Sequence, residues 1–250
     1  MENIRDRTEF IKNLKGISGD KHILTSEWSK ERYSKGWRYG EGVALAVAKP
    51  GTLLEIWKIL QICVNLDIIV IMQAANTGLT GGSTPYGNDY DRPILIINTM
   101  RISDIHIIDE GKQIVGFSGS TLFELENKLA SYGREPHSVI GSSCIGASIV
   151  GGICNNSGGA LIKRGPAYTE LSLYAQITKD GELILVNDLG IELGSSPEDI
   201  LTNLQNKNYN LDDIHFPDKL ASDNVYQERL RDVNAPTPAR FNADKRRLHG

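Results

Sequence analysis

At 250 residues, with 40% hydrophobic and 23% charged residues, the chain has the composition of a folded globular protein and is too apolar for general disorder. A formal net charge of -4 gives no global attraction for nucleic acid, and the longest apolar runs, such as Ile68 to Met72, are too short for a transmembrane segment. Cys63, Cys144 and Cys154 lack metal-binding spacing, and an odd set without a pairing pattern fits reduced, buried thiols in a cytoplasmic protein.

In chain order, Met1 to Leu14 is charged and has no apolar core of a secretion signal. Ile4, Phe10, Ile11 and Leu14 share one face of a helix that Gly16 ends. Ser26 to Gly42, with Trp28, Tyr33, Trp37 and Tyr39, reads as a lead-in packing onto the main body. A βαβ unit follows. Ala44 to Ala48 is a strand, Thr52 and Glu55 form a capping box, and the helix they open carries Leu53, Ile56, Trp57, Leu60 and Val64 inward. Ile68 to Met72 is a second strand, continuous enough to be buried on both faces, and Ile94 to Ile97 a third.

The pattern then changes. Ile105 to Ile108 and Ile114 to Phe117 flank Asp109-Glu110-Gly111 as a hairpin, and Thr121 with Glu124 caps a helix through Leu122, Leu125 and Leu129 that Gly133 ends. Leu171 to Thr178 and Leu183 to Val186 flank Asp180-Gly181 as a second hairpin, and Ser196-Pro197 starts another helix. The reading is an α+β fold: a lead-in over residues 1–42, a parallel βαβ half over 43–104, a hairpin-rich half over 105–202, and a polar segment over 203–250. Lys245, Arg246 and Arg247 read as a solvated end rather than a binding patch.

Two segments carry chemistry. Gln73 to Asp91, directly after a strand, holds Gly78, Gly81, Gly82 and Gly87 among Thr77, Thr80, Ser83 and Thr84. Glycines let a backbone close on a diphosphate and hydroxyls add small donors, although a long surface loop has the same composition. The segment is neither GxGxxG nor a P-loop, which argues against a nicotinamide dehydrogenase. Gly141 to Gly159 is dense in glycine and cannot fill a core with side chains; it suits a backbone passing a flat ring or a phosphate, or a tight helix–loop. Together the two stretches suggest one elongated ligand. His137 reads as a structural histidine ahead of a flavin contact, Arg164 equally as a loop salt bridge or an anion contact, and Trp57 as core.

A resemblance sharpens this. Residues 133–168, GREPHSVIGSSCIGASIVGGICNNSGGALIKRGPAY, resemble the flavin-binding core of the quinone-dependent D-lactate dehydrogenases, and AANTGLTGGSTPYGNDYDR resembles that family's first flavin loop. That family shares the fold of p-cresol methylhydroxylase (PCMH) and vanillyl-alcohol oxidase. The resemblance implies a PCMH-type FAD-binding domain of two α+β subdomains. It implies that Ala74, Ala75, Asn76, Thr77, Gly78, Gly82 and Ser83 hold the FAD diphosphate and adjoining atoms, and that Gly141, Ser148 and Gly158 touch the flavin. The first loop has no histidine, so the FAD is expected to be non-covalent. The implied partners are D-lactate and a quinone at the cytoplasmic face of the inner membrane. Family members continue into a substrate-cap domain, so the chain is expected to be truncated at its C-terminus, with little turnover and no catalytic residue to assign. A stand-alone flavin-binding protein, a subunit completed by a separately encoded cap domain, and a non-functional remnant stay open beside it.

Overall fold

The computed structural model describes residues 4–136, 143–155, 157 and 171–210. They fall into two compact units. The first runs to Ser103 and includes Ala175–Leu185 and Gly194–Asn208; the second comprises Asp104–Tyr174, Val186–Leu193 and the chain from Tyr209.

In the first unit α1 (Ile4–Ser18) runs past Gly16 and stops where Gly19 takes φ 84°, so Gly19 is the left-handed stop that the sequence suggested for Gly16. The lead-in contains α2 (Glu27–Ser34), capped by the Ser26 hydroxyl. Tyr33 and Lys30 are buried there, and the Lys30 ammonium donates to the Ala44 carbonyl at 2.7 Å, which pins the lead-in to the sheet. The sheet has four strands in the order β1-β2-β4-β3, from β1 (Ile23–Leu24), β2 (Ala46–Ala48), β3 (Ile69–Gln73) and β4 (Ile94–Asn98); β2, β4 and β3 are parallel and β1 is antiparallel. Between β2 and β3 lies α3 (Leu53–Asn65).

Three details differ from expectation. Thr52 caps α3, but the Glu55 carboxylate accepts from the Gly51 N–H rather than closing the box on Thr52, because the chain before the helix turns that amide toward it. The buried residues of α3 are Trp57, Ile59 and Cys63, with Leu60 half-buried; α1 and α6 (Pro197–Gln205) pack on α3 as well as the sheet does, so three neighbours set its inner face. Finally, the doubly buried strand is β4, not Ile68 to Met72. Leu95 and Ile97 join Phe10, Leu14, Ile59 and Cys63 on one face, while Ile94 and Ile96 join Tyr33, Ala44 and Val47 on the other. Being at the sheet edge, β3 is only half-buried, and Met72 is 45% exposed. From β3 to β4, residues 74–93 contain no helix.

In the second unit β5 (Ile105–Ile108) and β6 (Gln113–Gly116) form the expected antiparallel hairpin, turning through Asp109, Glu110 and Gly111 at φ 47°, 52° and 79°. The capping box at the head of α4 (Leu122–Ala130) is complete, with the Thr121 hydroxyl accepting from Glu124 N–H and the Glu124 carboxylate accepting from Thr121 N–H. Leu122, Leu125 and Leu129 pack with Ile105, Ala147 and Ile149, and Gly133 follows the helix at φ 64°. A short helix, α5 (Ile149–Cys154), comes next. Later in the chain, β7 (Leu173–Ile177) and β8 (Leu183–Asn187) form a two-stranded ribbon around the Asp180-Gly181 turn; most of the ribbon, Ala175–Leu185, belongs to the first unit. Cys63 is buried, but Cys144 and Cys154 are exposed, correcting the expectation of buried thiols: their glycine-dense surroundings have too few side chains to cover them.

Candidate functional site

The first loop leaves β3 at its carboxyl end, the position where parallel sheets present ligand crevices. It is held from beneath. The Gln73 amide donates to the Ser83 carbonyl at 2.7 Å and the Tyr33 carbonyl at 2.8 Å, and the Asn98 amide donates to the Ala74 carbonyl at 2.9 Å. It is also held from the side. Asn76, left-handed at φ 57°, donates from its amide to the Lys35 carbonyl at 2.7 Å and accepts from the Ser83 hydroxyl at 2.8 Å, while its own carbonyl accepts from Trp37 N–H. Asparagine tolerates that backbone better than most residues. At the exit, the Tyr90 hydroxyl accepts from Tyr86 N–H.

The glycines of this loop divide into two kinds. At Gly81, φ is 75° and a Cβ would lie 3.0 Å from the Tyr39 ring; at Gly40, in the lead-in, a Cβ would strike the Thr84 hydroxyl. The fold itself requires those two. Gly78 and Gly82 have ordinary φ, are exposed, and a Cβ on either would meet nothing closer than 3.9 Å. Neither a turn nor internal packing asks for glycine there; a ligand approaching the backbone closely would. Among the described residues, none accepts a hydrogen bond from the N–H groups of residues 77–80, 82 and 83. These donors, with the Thr77 and Thr80 hydroxyls, match an anion with many acceptor oxygens. The donor set therefore fits a diphosphate.

The structure brings together seven of the expected residues, Ala74 to Gly78 with Gly82 and Ser83, in this one loop; Ala74 to Thr77 and Ser83 are half-buried. In the second unit Ser148 is buried and caps α5, its hydroxyl accepting from Gly151 N–H at 3.1 Å. Gly151 has no room for a Cβ against that same oxygen, 2.6 Å away. Gly141, Gly158, His137 and Arg164 lie outside the described residues. Sequence reasoning missed Gln73 and Asn98 as supports. Their signal is a polar amide closing each of two apolar strands, at 2% and 4% exposure. It also missed the bracing role of Lys35 and Trp37, for which spacing carries no signal. Trp57 is core, as expected.

A helix-flanked, mostly parallel sheet with a long loop at the carboxyl end of β3, followed by a unit that opens on an antiparallel hairpin, has the arrangement of a PCMH-type flavin-binding fold. The structure superimposes on that of p-cresol methylhydroxylase with a TM-score of 0.58, covering 73% of this chain and 36% of that one at 15% identity. Residues 44–187 match the family described as FAD binding domain, and the chain belongs to that family. It is 58% identical to a quinone-dependent D-lactate dehydrogenase of Haemophilus influenzae over 96% of this chain and 42% of that protein. It is 54% identical to the Escherichia coli protein of the same name, over 97% of this chain and 43% of that one. The chain thus spans about two fifths of the length of these curated relatives. Among the described residues no helix is long and apolar enough to cross a membrane, and no cluster of side chains is arranged to hold a metal.

Proposed function

We propose that this chain is the FAD-binding part of a dehydrogenase that oxidises D-lactate to pyruvate and passes the electrons through FAD to a quinone. The observation that carries the reading is 58% identity to a quinone-dependent D-lactate dehydrogenase across nearly the whole chain, joined to a loop whose open glycines and spare N–H donors suit a diphosphate. FAD, when bound, supplies the hydride acceptor and the electron relay, and the protein supplies binding and orientation. Ala74, Ala75, Thr77, Gly78 and Gly82 hold the diphosphate through backbone N–H groups, with hydroxyls in support. Asn76 and Ser83 act mainly by fixing the loop, since their side chains already bond each other and Lys35. Gly141, Ser148 and Gly158 lie against the flavin. The Ser148 hydroxyl is committed to Gly151, so its part is to hold the α5 turn in place. The division into FAD subdomains at 43–104 and 105–202 belongs to the same reading.

The binding is non-covalent, because the loop offers no histidine for attachment. D-lactate and quinone are substrates of the whole assembly, which acts at the cytoplasmic face of the inner membrane. The relatives carry more than half of their length outside the matched stretch, and on this reading the hydroxy-acid site draws on that part, whether in the same chain or in a separately encoded cap. Purified protein tests this directly. It is expected to be yellow, to release FAD rather than FMN on denaturation, and to reduce a dye poorly with D-lactate alone. A folded, colourless sample that takes up no added FAD would defeat the reading.

A further inference from the structure

We infer that Gln73 and Asn98 are positioning residues that set the shape of the 74–83 loop for a diphosphate; this rests on the FAD reading and deepens it. The two residues are register partners on adjacent parallel strands, so their amides lie side by side at the carboxyl ends of β3 and β4. The Gln73 carbonyl oxygen of the side chain accepts from the Asn98 amide at 3.1 Å, and that amide also donates to the Ala74 carbonyl. The Gln73 amide spends both N–H bonds, one on Ser83 and one on Tyr33. The pair thus grips the first and last residues of the loop, and the end of α2, from one buried point. Thr99 N–H closes the grip by donating to the Gln73 backbone carbonyl at 2.8 Å.

Two buried amides among the aliphatic side chains of this sheet carry a desolvation cost that an apolar pair of the same volume would avoid. What they give in return is geometric. The loop's ends are fixed through carbonyls, and the N–H groups of residues 77–80 and 82 between them have no acceptor among the described residues. A leucine at position 73 fills the space but removes the donors to Ser83 and Tyr33, so the loop keeps its sequence and loses its shape.

The test is a double-mutant cycle on the full 250-residue chain, with Gln73→Leu, Asn98→Leu and the double variant. Two probes are used: FAD, and ADP, which carries the diphosphate without the isoalloxazine. Each single variant is expected to bind both about tenfold or more weakly, and the double variant no more weakly than the worse single. Amide hydrogen exchange of the unliganded protein at Trp37, Thr84 and Thr99, whose N–H groups donate to the Asn76, Gly81 and Gln73 carbonyls, is expected to quicken in all three, while exchange in the core of β4 stays at its wild-type rate. If Gln73→Leu gives no cooperative melt, Asn98→Ala supplies the same readouts. Loss of FAD binding without loss of ADP binding, additive losses, or unchanged exchange at Trp37, Thr84 and Thr99 would overturn the positioning role. Wild-type protein that binds neither probe would sink the FAD reading alone, since the exchange measurement still judges the clamp.

Discussion

At the scale of single residues, the glycines of the first loop separate what the fold needs from what a ligand needs. Gly81 sits at φ 75° beside the Tyr39 ring, so Gly81→Ala combines a left-handed alanine, about 1–2 kcal/mol, with a contact at 3.0 Å. Gly82 is free of both constraints. Gly82→Ala is expected to change stability by less than about 0.5 kcal/mol, as an open surface site does, and, on the proposed reading that the diphosphate approaches there, to weaken FAD binding about tenfold through the added methyl. Thermal melts and FAD titrations of the two variants check this; equal FAD affinity in Gly82→Ala and wild type would remove Gly82 from the site. Glycine density in the sequence flagged both positions alike. Which glycine serves which purpose depends on where Tyr39 and Thr84 come to rest, and no local pattern records that.

At the scale of elements, local chemistry was largely legible. The Thr121–Glu124 box appears as read, because it needs only residues three apart. Thr121→Ala is expected to cost about 1 kcal/mol and Thr121→Ser to recover most of it, measured by urea titration; no change for alanine would mean the cap is idle. The Thr52–Glu55 pair has the same spacing and a different outcome, since Glu55 bonds Gly51. The misassigned strand is more instructive. Ile68 to Met72 and Ile94 to Ile97 are equally apolar, so composition cannot say which is central. The order β2-β4-β3 decides it, and that order depends on contacts between β4 and both neighbours rather than on either run alone. The clamp residues Gln73 and Asn98 escaped notice for a related reason: their meaning lies in register across strands.

At the scale of the whole molecule, the three thiols report on the two units separately. Cys63 is in the core of the first unit, where burial pushes its thiol up to about 12; Cys144 and Cys154 are exposed in the second. Iodoacetamide at pH 8 is expected to modify the latter two in the native protein, Cys154 more slowly because the protein packed around its partly exposed sulfur raises its thiol, and to reach Cys63 only when the first unit opens. Mass spectrometry along a urea series gives the opening curve of that unit, and native labelling of Cys63 at the rate of the others would contradict the packing. The sign with pH follows. An unfolded Cys63 loses its proton near 9.0 and the folded one near 12, so this residue's contribution favours unfolding progressively as pH rises through that window.

The helix-free passage from β3 to β4 has a bearing on how this protein tolerates change. Parallel neighbours must be joined by a crossover of about a dozen residues or more, usually a helix, and here residues 74–93 make that journey themselves. On the proposed reading the segment is at once ligand cradle and structural bridge. Deletions there would therefore be punished twice, by lost affinity and by strands that can no longer reach their partners, while the exposed Asn88-Asp89 pair, beyond the bonds of Gly87 to Glu41 and Val43, is where an insertion would be absorbed with least harm.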